Sequence, residues 1–159
     1  MLCIVLVVAC GLGHAAPPQS IDLVRVDKSA RRMELLREGA VVATFRVALG
    51  DAPVGHKQRE GDERTPEGRY VLDWKKADSA YFRAIHISYP NADDRRRARV
   101  RGVPPGGAIM VHGQPNGWQH MEALTQRRDW TDGCIALTNA DMQFLWERVR
   151  VPVTIEIVP

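Results

Sequence analysis

Cysteine is scarce in this chain: of three in all, Cys3 and Cys10 fall within the first ten residues, so Cys134 stands alone in the body of the sequence. No internal disulfide can form once that N-terminal segment is removed. A single leftover thiol in an oxidising compartment is either buried and inert or kept for chemistry. Histidine and cysteine also lack the short spacings of metal sites. His112, His120 and Cys134 could be imagined as three ligands, but no His-x-x-x-His or Cys-x-x-Cys pattern supports them, and neither metal nor any other cofactor is expected. Aromatic residues make up only 6% of the chain and do not interleave with its basic residues, which argues against a nucleic-acid partner. Lysine is nearly missing too, 4 against 18 arginines, and the arginine cluster at Arg95, Arg96, Arg97, Arg99 and Arg101 reads first as a solvated face. No apolar run approaches the roughly 20 residues a membrane-spanning helix needs.

The segment Met1 to Ala16 carries no Asp, Glu, Lys or Arg, and an apolar stretch from Leu2 to Ala9 leads into small residues. This is the pattern of a secretory signal, although the positive n-region is missing. Two processing routes compete: cleavage after Ala15, or lipid attachment at Cys10 in Val7-Val8-Ala9-Cys10. Soluble export to the periplasm or cell envelope is the expectation, with membrane contact only if Cys10 is lipidated. The expected organisation is a signal over residues 1–16 and one domain over 21–158, since the remaining length suffices for a single core but hardly for two.

That body reads as mainly β. Strands are expected at Ile21–Val26, Arg32–Arg37, Val41–Leu49, Arg69–Trp74, Phe82–Tyr89, Ala108–His112 and Pro152–Val158. The stretch from Gly50 to Gly68 is rich in Gly, Pro and charge, which is loop chemistry. Asn91–Arg101 can form a short polar helix. One clear helix follows Thr138, a capping residue with Asp141 three positions on; Met142, Leu145, Trp146 and Val149 share one face and read as core. The sum is a β-sandwich-like fold of antiparallel or mixed sheets with one docked C-terminal helix, lacking the repeated βαβ order of a doubly wound sheet.

Two segments carry the chemistry, Ile109-Met110-Val111-His112-Gly113 and Asp129-Trp130-Thr131-Asp132-Gly133-Cys134-Ile135-Ala136-Leu137. Free cysteine is only a few per cent thiolate near neutral pH, so a neighbouring base is needed, and imidazole is the usual one. Gly113 lets the chain bend after His112. Gly133 lets backbone approach a reacting carbonyl, and the amides of Gly133 and Cys134 are candidate oxyanion donors. On the residues alone, a buried core cysteine beside a satisfied histidine remains an open reading. His86, inside an apolar strand, reads as a satisfied structural histidine; His56 and Lys57 read as solvated, and Trp118 and Trp130 as packing or as walls of a groove.

His112-Gly113, a short intervening loop and Thr131-Asp132-Gly133-Cys134-Ile135 resemble the signature of the L,D-transpeptidase catalytic domain family (YkuD-like, of the ErfK/YbiS/YcfS/YnhG type). Gly61 to Tyr70, with Thr65-Pro66-Glu67-Gly68, resembles that family's second hallmark, and Pro105 to Ile109 resembles the approach to its histidine. The resemblance covers Ile21 to Val158. It implies a peptidoglycan enzyme in which Cys134, activated by His112 and with the Gly113 carbonyl orienting the imidazole, attacks the diaminopimelate carbonyl of a tetrapeptide stem. The resulting thioester passes to an amine of a second stem, to a lipoprotein lysine, or to water. Peptidoglycan stem peptides and a lipoprotein acceptor are the implied partners, and Thr131, Asp132, Arg64 and Trp130 are the candidate substrate contacts.

Asp132 stands where many members have His or Arg, and Ala136 where many have Arg or Asn, so substrate recognition departs from the family pattern; Arg64, Arg127 or Arg128 are candidates to supply the lost charge. Alternatives are a carboxypeptidase or endopeptidase of the same family, a sortase-like thiol acyl-transferase and a wall-binding protein without catalysis. A sortase would want a longer His-to-Cys separation.

Overall fold

Alternating burial along Leu23–Asp27 and Val153–Val158 sets every second side chain into one core, the period-2 signature of strands. The computed structural model describes residues 20–159, so the expected signal and Cys10 lie outside the described residues. Among these described residues there are eight strands: β1 (Leu23–Asp27), β2 (Arg32–Arg37), β3 (Ala40–Arg46), β4 (Gly68–Lys76), β5 (Ala84–Ile87), β6 (Met110–His112), β7 (Ile135–Ala136) and β8 (Val153–Val158). They form one mixed sheet in the order β3-β2-β1-β8-β4-β5-β6-β7, parallel at β1–β8 and β6–β7 and antiparallel elsewhere.

The expected strand Val41–Leu49 ends at Arg46, because the chain then leaves one edge of the sheet for the other. Ala48 and Ala136 exchange backbone bonds of 2.9 and 2.8 Å, and Gly50 bridges Thr131, so the β7 edge is covered and the sheet is bent over its core. Val24, Met33, Leu35, Leu72, Ile85, Val111, Ile135 and Ile155 fill that core without measurable exposure. Fully burying such a side chain contributes roughly 1.5–3 kcal/mol.

Among the described residues three α-helices flank the sheet: α1 (Ala92–Val100), α2 (Glu122–Thr125) and α3 (Asn139–Arg148). Helix α1 confirms the expected polar helix and begins with a capping box between Asn91 and Asp94. It buries only Asp94 and Ala98. The Asp94 carboxylate accepts from the Tyr70 hydroxyl at 2.9 Å, from Arg97 at 2.5 Å and from His56 Nε2 at 3.1 Å, which explains why a charged residue is tolerated inside. Helix α3 has the expected Thr138 cap, its hydroxyl accepting from the Asp141 N–H at 3.0 Å, and it buries Met142 and Leu145.

Helix α2 and the 3-10 turn before it, Gln119–Met121, lie in what the sequence presents as a plain loop. Their apolar content is too small to show a period; polar contacts hold them instead. Buried Gln114 accepts from the Thr125 hydroxyl at 2.5 Å and donates to the Leu137 carbonyl at 2.7 Å, while its own N–H donates to the Asn139 side chain at 2.8 Å.

The segment from Gly50 to Gly68 is a fastened loop. Lys28, 2% exposed, donates to the carbonyls of Gly55 and Thr65 and pairs with Glu67 at 2.7 Å. Asp62 accepts from the backbone N–H groups of Gln58, Arg59 and Arg64 and from Lys57. Burying two lysines is costly unless each is paired, and each is.

Candidate active site

Register across the sheet brings the two chemical segments together. β6 and β7 run parallel with Val111 opposite Ile135 and His112 opposite Ala136. Val111 and Ile135 point into the core, so Met110, His112 and Cys134 share the other face. The Met110 N–H donates to Cys134 Sγ at 3.4 Å, which fixes the thiol beside β6. His112 and Cys134 line one cavity of about 460 Å³ together with Trp74, Tyr81, His86 and Met110.

Cys134 sits at the end of a turn that only glycine can make. Gly133 has φ +124°, and a Cβ there would lie 2.5 Å from the Arg64 carbonyl oxygen. The Thr131 hydroxyl donates to the Cys134 carbonyl at 2.7 Å and accepts from the Gly133 N–H at 3.2 Å, so this buried side chain ties the turn from inside. Just upstream, the Asp129 carboxylate grips Arg31 at 2.7 Å and accepts from the Leu49 N–H at 2.9 Å. The Gly-rich loop thus serves the cysteine as a wall.

His112 is buried, and its Nδ1 lies 2.7 Å from the Gly113 carbonyl oxygen. A carbonyl only accepts, so Nδ1 carries the proton and Nε2 presents its lone pair. Gly113 must be glycine, since a Cβ there would meet the Asn139 Oδ1 and the Phe82 carbonyl oxygen, each at 2.6 Å. Tyr81 lies tilted over the imidazole at 4.3 Å between ring centroids, and Trp130 meets it edge-on at 5.9 Å. Burial pulls the His112 pKa down to about 4, against a smaller opposing effect of the Gly113 carbonyl. Burial likewise pushes the Cys134 thiol up, with the Met110 N–H opposing it, the Asp132 charge adding to it and the Lys57 charge opposing it. Near neutral pH the resting pair is a neutral imidazole and a neutral thiol.

The remaining sequence candidates separate. Trp130 packs beside His112, and its buried Nε1 has no partner among the described residues. Asp132 is exposed at the turn. Arg64 meets the Cys134 turn through its backbone carbonyl, while its guanidinium lies near Gly55 and lines a different cleft with Arg59 and Arg101. Arg127 and Arg128 line a third cleft, with Arg46 and Asp129. The cation that lines the Cys134 cavity is Lys76. Trp118 and His120 are exposed and do not line it. Lys57 is buried rather than solvated, and Ala136 is fully buried between Ala48 and His112.

Sequence reasoning missed Trp74, Lys76, Tyr81 and Met110, and it read His86 as purely structural. Met110 and His86 had a usable signal: each lies two residues from a residue of the same cavity wall, Met110 from His112 and His86 from Ala84.

A bent mixed sheet thus presents His112 and Cys134 in one cavity. The chain belongs to the L,D-transpeptidase catalytic domain family (YkuD), whose model matches residues 21–157. It is 30% identical over 96 residues to YafK of Escherichia coli K12, described as a putative L,D-transpeptidase, a match spanning 57% of this chain and 37% of that protein. Among solved structures it resembles the helical cell shape determining protein Pgp2 of Campylobacter jejuni at 28% identity and a TM-score of 0.64, over 86% of this chain and 47% of that one. It shares the fold of LdtMt1, solved in complex with imipenem, at 18% identity and a TM-score of 0.54, over 86% of this chain and 58% of the other. The chain spans less than half the length of YafK and Pgp2.

Proposed function

We propose that this protein is a cysteine-dependent acyltransferase of bacterial peptidoglycan, acting in the periplasm or cell envelope on the tetrapeptide stem. The observation that carries this reading is the His112 imidazole, held by the Gly113 carbonyl with its basic nitrogen unbonded among the described residues, in the same cavity as the Cys134 thiol.

In this reading Cys134 Sγ attacks the carbonyl of the L-centre of diaminopimelate as its proton passes to His112 Nε2. Both groups start neutral, so proton transfer accompanies attack and no thiolate needs to be stored beforehand. Oxyanion stabilisation falls to the backbone. The Gly133 N–H is already engaged by Thr131, whereas the Cys134 N–H has no acceptor among the described residues and is the donor at hand. Collapse breaks the peptide bond to the terminal D-alanine, whose amine takes the proton from His112 and leaves, and a thioester remains. An incoming amine, from a second stem or a lipoprotein lysine, or water then gives a proton to His112, attacks the thioester and releases the thiol. The name of Pgp2 ties that relative to helical cell shape, and a role in wall remodelling follows for this chain by the same chemistry.

Intact mass of the mature protein after incubation with disaccharide-tetrapeptide tests this. The expected result is an acyl adduct on Cys134 that Cys134→Ser abolishes, followed by a product whose mass identifies the acceptor. A folded protein that yields neither adduct nor product removes the reading.

A further inference from the structure

The cavity holds a second histidine that the acyl-transfer steps do not use. His86 on β5 pairs with Met110 on β6, and Met110 in turn touches Cys134, so Cys134, Met110 and His86 form a row across three neighbouring strands. On the far side the register of β4 and β5 slips: Leu72 pairs with Ile87 and Lys75 with Ile85, leaving both Asp73 and Trp74 to face the single residue His86. This bulge clamps the imidazole from two directions. Asp73 Oδ1 lies 2.7 Å from His86 Nδ1, and the Trp74 indole stacks on the ring at 4.9 Å between centroids with 15° between planes. Bulges recur beside active sites because they re-aim side chains.

We propose, building on the acyl-transfer reading above, that His86 contacts the substrate and reads a carboxylate on the side chain of the acyl-donor residue. The carboxylate of Asp73 accepts from Nδ1, which leaves Nε2 as the free edge of a ring that lines the cavity. With an N–H on each ring nitrogen, the ring would offer one to Asp73 and the other to an anion, a charge-assisted bond at each end. Lys76, two residues beyond Trp74 on β4, adds a positive group, and among the described residues no acidic side chain lines the cavity. Strands lie about 4.8 Å apart, so His86 stands roughly 10 Å from the Cys134 backbone. That separation, two strand spacings, is one the diaminopimelate side chain can cover, since its distal carboxylate lies six bonds beyond the scissile carbonyl. The leaving residue's carboxylate is too close to the scissile bond to reach that far.

The test compares kcat/KM for two disaccharide-tetrapeptides that differ only at the distal carboxylate, free or amidated. The wild-type protein is expected to favour the free acid by about tenfold to a hundredfold, the usual scale for a hydrogen bond to a charged group. His86→Ala should erase that preference by raising KM for the free acid alone. Asp73→Asn and Lys76→Ala, at more exposed positions, should each reduce it and carry the test if His86→Ala does not fold. Turnover of neither peptide by the wild type removes the acyl-transfer reading and this one with it. Turnover of both without preference, a preference that survives these variants, or an equal loss on both peptides overturns the carboxylate site while leaving the acyl-transfer reading in place.

Discussion

His112 makes a pH-dependent contribution to stability whose sign and size follow from its burial. Its folded-state pKa is pulled down from 6.5 to about 4, chiefly by desolvation. An unfolded chain takes up a proton at this histidine as pH falls through about 6.5, whereas the folded protein resists until about 4. Between those values the unfolded state binds more protons, so stability falls as the solution is acidified and recovers as pH rises. Holding the imidazole neutral over that window is worth about 3 kcal/mol. Urea unfolding at fixed intervals from pH 7 to pH 4 measures it, with His112→Asn as reference because asparagine keeps a donor near the Gly113 carbonyl but does not titrate. Other titrating groups are common to both proteins, so the difference between the two curves isolates His112. The wild type should lose about 3 kcal/mol more than the variant over this range. Parallel curves would show that the imidazole is solvated in the folded protein, and the account of a neutral resting pair would fall with it.

Cys134→Ser should leave the melting temperature within a few degrees of wild type while abolishing acyl-enzyme formation, because volume is nearly kept and the hydroxyl is far less acidic; loss of folding would instead mark Cys134 as a packing residue. His112→Ala should slow acylation by about 10² to 10⁴, with partial recovery at higher pH as solution takes over deprotonation of the thiol; an unchanged rate would make His112 a bystander. Gly133→Ala should destabilise the Cys134 turn, since its Cβ would come 2.5 Å from the Arg64 carbonyl oxygen, backbone that has no free rotamer to move aside; a melt and an acylation rate equal to wild type would refute that packing. A carbapenem should acylate Cys134, because a strained lactam supplies its own activated carbonyl; peptide mapping that finds no adduct on the folded protein would refute the nucleophile.

Seven of the eight strands among the described residues, and helix α3, were legible because burial imposes a period, whereas β7 is two residues long and too short to show one. Leu23 to Asp27 and Val153 to Val158 alternate because one face meets the core, and Met142 and Leu145 repeat at helical spacing for the same reason. Strand order was not legible. The parallel contact of β1 with β8 joins opposite ends of the chain, and the crossing of Val47–Gly50 to β7 rests on two alanines and a glycine whose side chains carry no pattern. Helix α2 escaped notice for a related reason. Gln114, Thr125 and Asn139 hold that segment by hydrogen bonds, and polar contacts between distant residues leave no period in a sequence.

The same distinction divides the site. Cys134, Gly133, His112 and Gly113 stood out because their chemistry is local: a lone thiol, a turn that excludes a Cβ, and an imidazole bonded to the carbonyl of the next residue. The wall of the cavity away from Cys134 comes from β4 and β5, and its residues gain meaning only through register. His86 shows why. In sequence it is one polar residue in an apolar strand, for which a satisfied structural role is the better reading. In the sheet a one-residue bulge sets Asp73 and Trp74 against it and leaves its free edge to the cavity. The arginines that looked able to replace the charge missing at Ala136 belong to other clefts, while Ala136 is packed where a long charged side chain would have to be buried. The cavity's charge therefore enters from β4, through Lys76, on the opposite side of His112 from Ala136. On the proposed acyl-transfer reading, a chain that keeps the cysteine turn but draws its cation from another strand would retain the bond-making geometry while altering which donor side chain it favours.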